Sequence, residues 1–356
     1  MSLEKYGFTG EIKKETTVLE ESMVIPARVI AVHRERYQLV CEQGELYGRL
    51  KTKEYYVESE EFPTTGDFVL IRYIAGSDSQ IIKTLPRKTF FSRLDPMPGR
   101  GEQAVAANFD YVFIMQSLNH DFNVKRLERY LTLAWQSGAT PIVVLTKADL
   151  VENHEDYVAS MERVTMGAEV LVVSSKTGYG MDAMKKYLKP GKTVVFLGSS
   201  GVGKSSLVNA LAGEEIMGIG GIREDDSKGR HTTTYRQLIM LPNGAMVIDT
   251  PGMRSVGMWD VSTGLDEAFE DVGQYLGKCK FSDCRHSTEP GCAIKRALED
   301  GSLSGERWQS YLKLKNEAKY SDDKTAYLRD KVKWHKEIAR TNKQMKGDRK
   351  KYDTFS

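Results

Sequence analysis

Cysteine is scarce in this chain, with four residues in 356. That is too few for the disulfide framework of a small secreted domain. Long apolar runs are absent too. No stretch approaches the roughly 18 residues that a membrane span needs, and Met1 to Lys14 mixes Glu with Lys and lacks the apolar core of a signal peptide. Nor is there an excess of one charge: 51 Lys and Arg stand against 49 Asp and Glu, so net charge alone names no partner. No repeat of fixed period and no low-complexity tract interrupts the chain. What is present is 40% apolar and 28% charged, the composition of packed domains rather than of a disordered polymer. The length exceeds one ordinary domain. A cytoplasmic, monomeric protein with no membrane partner is the expectation. The even charge balance conceals one asymmetry: residues 313–351 hold 14 Lys and Arg against 6 Asp and Glu.

The texture changes along the chain. Residues 1–22 are polar and are expected to form a flexible N-terminal extension. From 23 to 91, short runs rich in Val, Ile, Leu and Tyr alternate with turn residues such as Gly44 and Gly66, which predicts five strands and a small OB-like β-barrel. Residues 92–108, with two prolines and two glycines, are expected as a linker. From 109 to 276, continuously apolar strands alternate with helical spacing, the signature of a parallel sheet covered on both faces. Residues 277–356 carry clustered Cys and His and then a basic helical pattern. The expected fold is therefore multidomain.

Gly198-Ser199-Ser200-Gly201-Val202-Gly203-Lys204-Ser205 fits G-x-x-x-x-G-K-[ST] directly after the strand-like Thr193–Leu197 and before a helix beginning near Ser206. Glycines let backbone N–H groups turn toward phosphate oxygens, and the helix N-terminus adds partial positive charge. Lys204 is expected on the β- and γ-phosphates and Ser205 on Mg²⁺. The base is chosen elsewhere. Thr146-Lys147-Ala148-Asp149 closes a second apolar strand and resembles the [NT]-K-x-D motif. A carboxylate at Asp149 can accept from guanine N1–H and the exocyclic amine, which adenine cannot match, so the wrong base would leave it unpaired. The stem of Lys147 can lie over the base. Ser174-Ser175-Lys176, after a further strand, is the second base-loop candidate. Asp249-Thr-Pro-Gly252 fits D-x-x-G, with Asp249 directed at Mg²⁺ through water and the Gly252 N–H at the γ-phosphate. Gly229-Arg-His-Thr-Thr-Thr234 suits a switch loop whose threonine, Thr233 or Thr234, reaches Mg²⁺ only with the γ-phosphate present.

In ordinary GTPases the phosphate loop comes first and the base motifs last. Here the base motifs precede it. The chain thus resembles the ribosome small-subunit-dependent GTPases of the RsgA type over about residues 23–320. The resemblance implies an OB domain, a circularly permuted P-loop GTPase core and a C-terminal zinc domain. It also implies GTP hydrolysis in late maturation of the small ribosomal subunit, binding of its rRNA, and release coupled to hydrolysis. Met253 occupies the position where a glutamine usually orients the attacking water, and the resemblance assigns that task to His231. Gly201 stands where a K⁺-binding asparagine would be, so no K⁺ dependence is expected. Thr146 replaces the commoner asparagine, and its shorter side chain is expected to loosen the tie between base loop and phosphate loop. The competing reading is an RNA-binding assembly scaffold whose nucleotide state sets affinity without needed turnover.

Cys279-x₄-Cys284-x-His286-x₅-Cys292 offers three thiolates and an imidazole, the soft S₃N set that one tetrahedral structural Zn²⁺ prefers. Cys41 lies in an apolar strand and is expected in the core. The segments 307–319 and 324–351 read as basic helices with interspersed Trp and Tyr, suited to RNA phosphates and unpaired bases.

Overall fold

The computed structural model describes residues 2–10, 12, 24–33, 36–51, 55, 61–94, 102–119, 121–217, 237–249, 262–287 and 289–319. Five strands come first: β1 (Val24–Val32), β2 (Tyr37–Cys41), β3 (Gly44–Leu50), β4 (Phe68–Arg72) and β5 (Ser79–Thr84). β1, β2 and β3 pair antiparallel in sequence; β3 then pairs parallel with β5, β5 antiparallel with β4, and β4 returns to β1. The ring closes into the expected five-stranded barrel. Its interior is filled by every second residue of these strands, Ala27 and Val29, Leu39 and Cys41, Val69 and Ile71, as strand geometry requires. Cys41 is fully buried there.

Two expectations change at the barrel's margins. Residues 92–108 are not a bare linker, because β6 (Phe90–Leu94) and β7 (Glu102–Ala107) form an antiparallel ribbon. The breakers Pro96, Pro98, Gly99 and Gly101 fall between its strands in sequence. Phe91, Val105 and Ala106 at its base are buried in the core of the following unit. The N-terminal residues also depart from a free extension. Leu3–Tyr6 form a 3-10 turn, and Leu3, Tyr6 and Ile12 are buried. These few apolar side chains were hidden in a polar average.

The α/β unit contains β8 (Tyr111–Ser117), α1 (Val124–Gln136), β9 (Thr140–Thr146), α2 (Glu155–Thr165), β10 (Glu169–Val172), α3 (Met181–Met184), β11 (Thr193–Gly198), α4 (Lys204–Ala212), β12 (Gln237–Met240) and β13 (Met246–Asp249). The strands lie in the order β10-β9-β8-β11-β13-β12, all parallel except β12. Alternate residues feed a core on each face: Val112 and Ile114 on the α1 side, Phe113 and Met115 on the side of α3 and α4. A pair between Ala31 and Gln237 joins the barrel to the outer strand. Among the described residues no helix is long and apolar enough to cross a membrane.

The remaining elements are α5 (Ser262–Ala268), α6 (Glu270–Gly273), α7 (Ala293–Glu299) and α8 (residues 305–319). The expected boundary at 276–277 is not a boundary in packing. Ile294, Leu303, Trp308 and Tyr311 share one buried cluster with Leu127 and Leu131 of α1. Composition shifts at that point, but α8 pairs with α1 through Arg307–Glu128 and Glu317–Arg129, and apolar residues of α7 and α8 join the same cluster. The segments 218–236 and 320–356, which hold the expected switch loop and most of the basic tail, lie outside the described residues.

Candidate nucleotide site and metal centre

In a parallel sheet all carboxyl ends emerge on one edge, and ligands bind there. Thr146 ends β9, Ser174 lies just beyond β10, Gly198 ends β11 and Asp249 ends β13. The strand order therefore gathers four motifs that are scattered over about a hundred residues of sequence. The loop after β11 turns through Gly201 (φ 74°) and Gly203 (φ 105°), left-handed backbone that side chains resist. α4 starts at Lys204, which sets the helix N-terminus at this loop, with Ser205 and Ser206 in its first turn.

Base loop and phosphate loop are bonded to each other. Thr146 Oγ1 donates to Val202 O at 2.6 Å, and Lys147 Nζ donates to Gly201 O at 2.7 Å. The expected loosening at Thr146 is thus not seen, since the hydroxyl reaches the carbonyl directly. Asp149 Oδ1 accepts from Ser174 Oγ at 2.6 Å, and Lys176 Nζ lies 3.9 Å from its other oxygen. The Ser174 hydroxyl, ahead of Lys176 and Lys147, holds the Asp149 carboxyl below the usual carboxylate range. Ser175 and Lys176 sit in a turn closed by Gly178 N–H donating to Ser174 O and by Ser174 N–H donating to Tyr179 O. Asp149 thus presents an ionised acceptor next to a loop of backbone donors.

At the other end, Lys204 Nζ donates to Gly198 O at 3.0 Å and Ser199 O at 2.8 Å. Asp249 is largely buried at the end of β13; burial pushes its carboxyl up, and Lys204 draws it back. Both groups suit a site that carries an anion and a cation together. Gly252, His231, Thr233 and Thr234 lie outside the described residues. The structure also brings in residues that motif reading missed. Asp121 Oδ2 accepts from Ser199 Oγ and its Oδ1 from Arg126, which in turn reaches Gln116. The only signal was position: polar residues right after strand β8. Its place beside β11 is not legible before the sheet order is known.

Cys279, Cys284, His286 and Cys292 place their ligand atoms within 4.8 Å of one another. Cys279 Sγ and Cys292 Sγ are 3.9 Å apart, against about 3.8 Å for two sulfurs on a tetrahedral ion with Zn–S near 2.3 Å. Backbone N–H groups of Ala293, His286 and Lys295 point at Cys279, Cys284 and Cys292, as thiolates need. The Ala293 N–H holds the Cys279 thiol below its ordinary range, while desolvation pushes Cys284 up to about 11. Three crowded sulfurs cannot all ionise without a cation, so the donor set fits a metal ion. His286 is backed edge-on by Trp308, which connects the cluster to α8.

Comparison with known proteins agrees with this geometry. The family model described as RsgA GTPase matches residues 84–259. The "Small ribosomal subunit biogenesis GTPase RsgA 2" of Listeria monocytogenes is 48% identical over 321 residues, covering 90% of each chain. Among solved structures, YjeQ from Thermotoga maritima aligns with TM-score 0.62 and 27% identity, covering 82% of this chain and 97% of that one. YloQ, described as a circularly permuted GTPase, aligns with TM-score 0.58 and 25% identity, covering 84% and 96%.

Proposed function

The chain belongs to the RsgA GTPase family, and from that membership we propose a site-by-site reading of a GTP hydrolase that acts in late maturation of the small ribosomal subunit. Asp149 accepts from guanine N1–H and the exocyclic amine, the Lys147 stem covers the base, and the Ser174–Lys176 turn offers backbone donors to the guanine oxygen. Gly198 through Ser206 cradle the phosphates, with Lys204 on the β- and γ-groups. Ser205 and Thr234 would hold Mg²⁺, with Asp249 through water; the ion's role is to neutralise charge on the phosphates. His231 orients the attacking water or takes its proton, a role open to neutral imidazole near pH 7. Water's oxygen bonds to the γ-phosphorus as the bond to the β-phosphate oxygen breaks, leaving GDP and phosphate. Cys279, Cys284, His286 and Cys292 hold one structural Zn²⁺. The barrel and the basic 313–351 segment face rRNA, and hydrolysis frees the protein from the subunit.

The observation that carries this reading is the pair of bonds from Thr146 and Lys147 to the carbonyls of Val202 and Gly201. They support a single site in which base reader and phosphate cradle are joined, despite their reversed order in the chain. The relatives' name, small ribosomal subunit biogenesis GTPase, supports the partner. The test is the GTPase rate with and without purified small subunits, for the parent chain and for His231→Ala. Subunits should stimulate the parent, and the substitution should lower the stimulated rate by about 100-fold, the scale of a general acid–base group. Stimulation that survives undiminished in His231→Ala removes His231 from the chemistry. No stimulation at all favours the scaffold reading.

A further inference from the structure

One ionic network beside the phosphate loop has no part in the reading above. It lies where β8 passes into α1. Asp121 Oδ2 accepts from Ser199 Oγ at 2.5 Å, and Oδ1 accepts from Arg126 Nη1 at 3.0 Å. Arg126 belongs to the first turn of α1. Its second amino group donates to the Asp121 carbonyl and reaches Gln116 Oε1 at 3.4 Å. Gln116 is fully buried. Asn119 Oδ1 accepts from the Asp121 N–H at 3.0 Å and from Ser117 Oγ at 2.7 Å. Asn123 caps α1 by accepting from the Arg126 N–H at 3.0 Å. Asp121 is therefore fixed by side chain, carbonyl and amide before it meets Ser199.

We infer that Asp121 is a positioning residue for the phosphate loop, acting through the Ser199 hydroxyl. A glycine-rich loop samples many conformations, and a ligand that needs one of them loses affinity to the rest. The bonds from Thr146 and Lys147 fix its second half, at Val202 and Gly201. Asp121 fixes its first half at Ser199, whose carbonyl is in turn an acceptor of Lys204 Nζ. The loop is thereby held at both ends, with its phosphate-binding lysine in register. A bare carboxylate here would repel a polyphosphate; its pairing with Arg126 lets it hold the loop without presenting net negative charge.

The inference rests on guanine-nucleotide binding at this loop, so the experiment first requires that the parent chain bind a fluorescent GDP analogue; if it does not, that reading fails before this one is reached. Dissociation of the analogue is then followed in Asp121→Ala, Asp121→Asn, Ser199→Ala and the double variant Asp121→Ala with Ser199→Ala. Loss of one charge-assisted hydrogen bond should speed release about tenfold. Asp121→Asn, which keeps an acceptor, should recover part of it. The double variant should be no faster than either alanine variant, because both remove the same bond. Release within twofold of the parent in Asp121→Asn and Ser199→Ala together, or fully additive effects in the double variant, overturns the proposal. Should Asp121→Ala fail to fold, Ser199→Ala and Asp121→Asn decide it alone: release faster in Ser199→Ala than in Asp121→Asn sustains it.

Discussion

Asp149 owes its acidity to a hydroxyl more than to a charge. Ser174 Oγ donates to it at 2.6 Å, whereas Lys176 Nζ is 3.9 Å away. The folded-state pKa is depressed, so the carboxylate's stabilising contacts are present above its unfolded pKa and are lost as pH falls through the lower, folded value. Ser174→Ala should therefore raise the Asp149 pKa toward the ordinary aspartate value near 3.9. Carboxyl-carbon NMR titration of the nucleotide-free protein measures it, and an unmoved titration would assign the depression to the lysines instead. At this scale the sequence was informative wherever chemistry demands a residue type at a fixed spacing: Lys204 after Gly203, Asp149 after Lys147, three Cys and one His within a short loop. It was silent where a side chain acts through a distant partner. Asp121 meets Ser199 across 78 positions and Arg28 meets Thr193 across 165, and no local spacing encodes either.

At the scale of the elements, α1 connects the phosphate loop to α8. Its first turn carries Arg126, beside the phosphate loop. One turn on, Glu128 accepts from Arg307 Nη1 at 2.7 Å, and Arg129 pairs with Glu317 of α8. Arg307 is nearly buried; it also donates to both Asp271 oxygens and to Ala268 O, with its guanidinium 4.0 Å from the centre of the Phe269 ring. Taking Arg307 away strands Glu128 in the interior. Arg307→Ala should cost about 3–5 kcal/mol in urea unfolding, the scale of a buried pair broken on one side, and the paired replacement Arg307→Met with Glu128→Leu should cost less. A loss below about 1 kcal/mol would place the pair with ordinary surface bridges. Most element types followed from apolar periodicity, and the five strands expected between 23 and 91 are β1 to β5. The β6–β7 ribbon did not, because proline and glycine between two short strands read as punctuation. The seam of α8 against α1 was hidden by the composition shift at the cysteine cluster.

At the scale of the whole molecule, the barrel and the sheet are stitched rather than strung. Arg28 of β1, fully buried, donates to Tyr6 O, Gly66 O, Asn108 O and Thr193 Oγ1, joining the N-terminal turn, the barrel and the P-loop strand. Burial pulls its pKa down to about 10, so the guanidinium remains charged at neutral pH. The same compactness explains how a rotated motif order still makes one site. β8, β9 and β10 precede β11 in the chain and continue the same parallel sheet outward from it, so the base loops and the phosphate loop share one edge. On the proposed function, this edge reads guanine through Asp149. Calorimetric titration of GDP, ADP and xanthosine diphosphate into the parent chain and Asp149→Asn tests it directly. The parent should bind GDP at least about 100-fold more tightly than ADP. Asp149→Asn should lose GDP and gain the xanthine nucleotide, whose extra carbonyl an amide N–H can meet. Equal affinity for GDP and ADP in the parent, or undiminished GDP binding in Asp149→Asn, would remove Asp149 as the reader of the base.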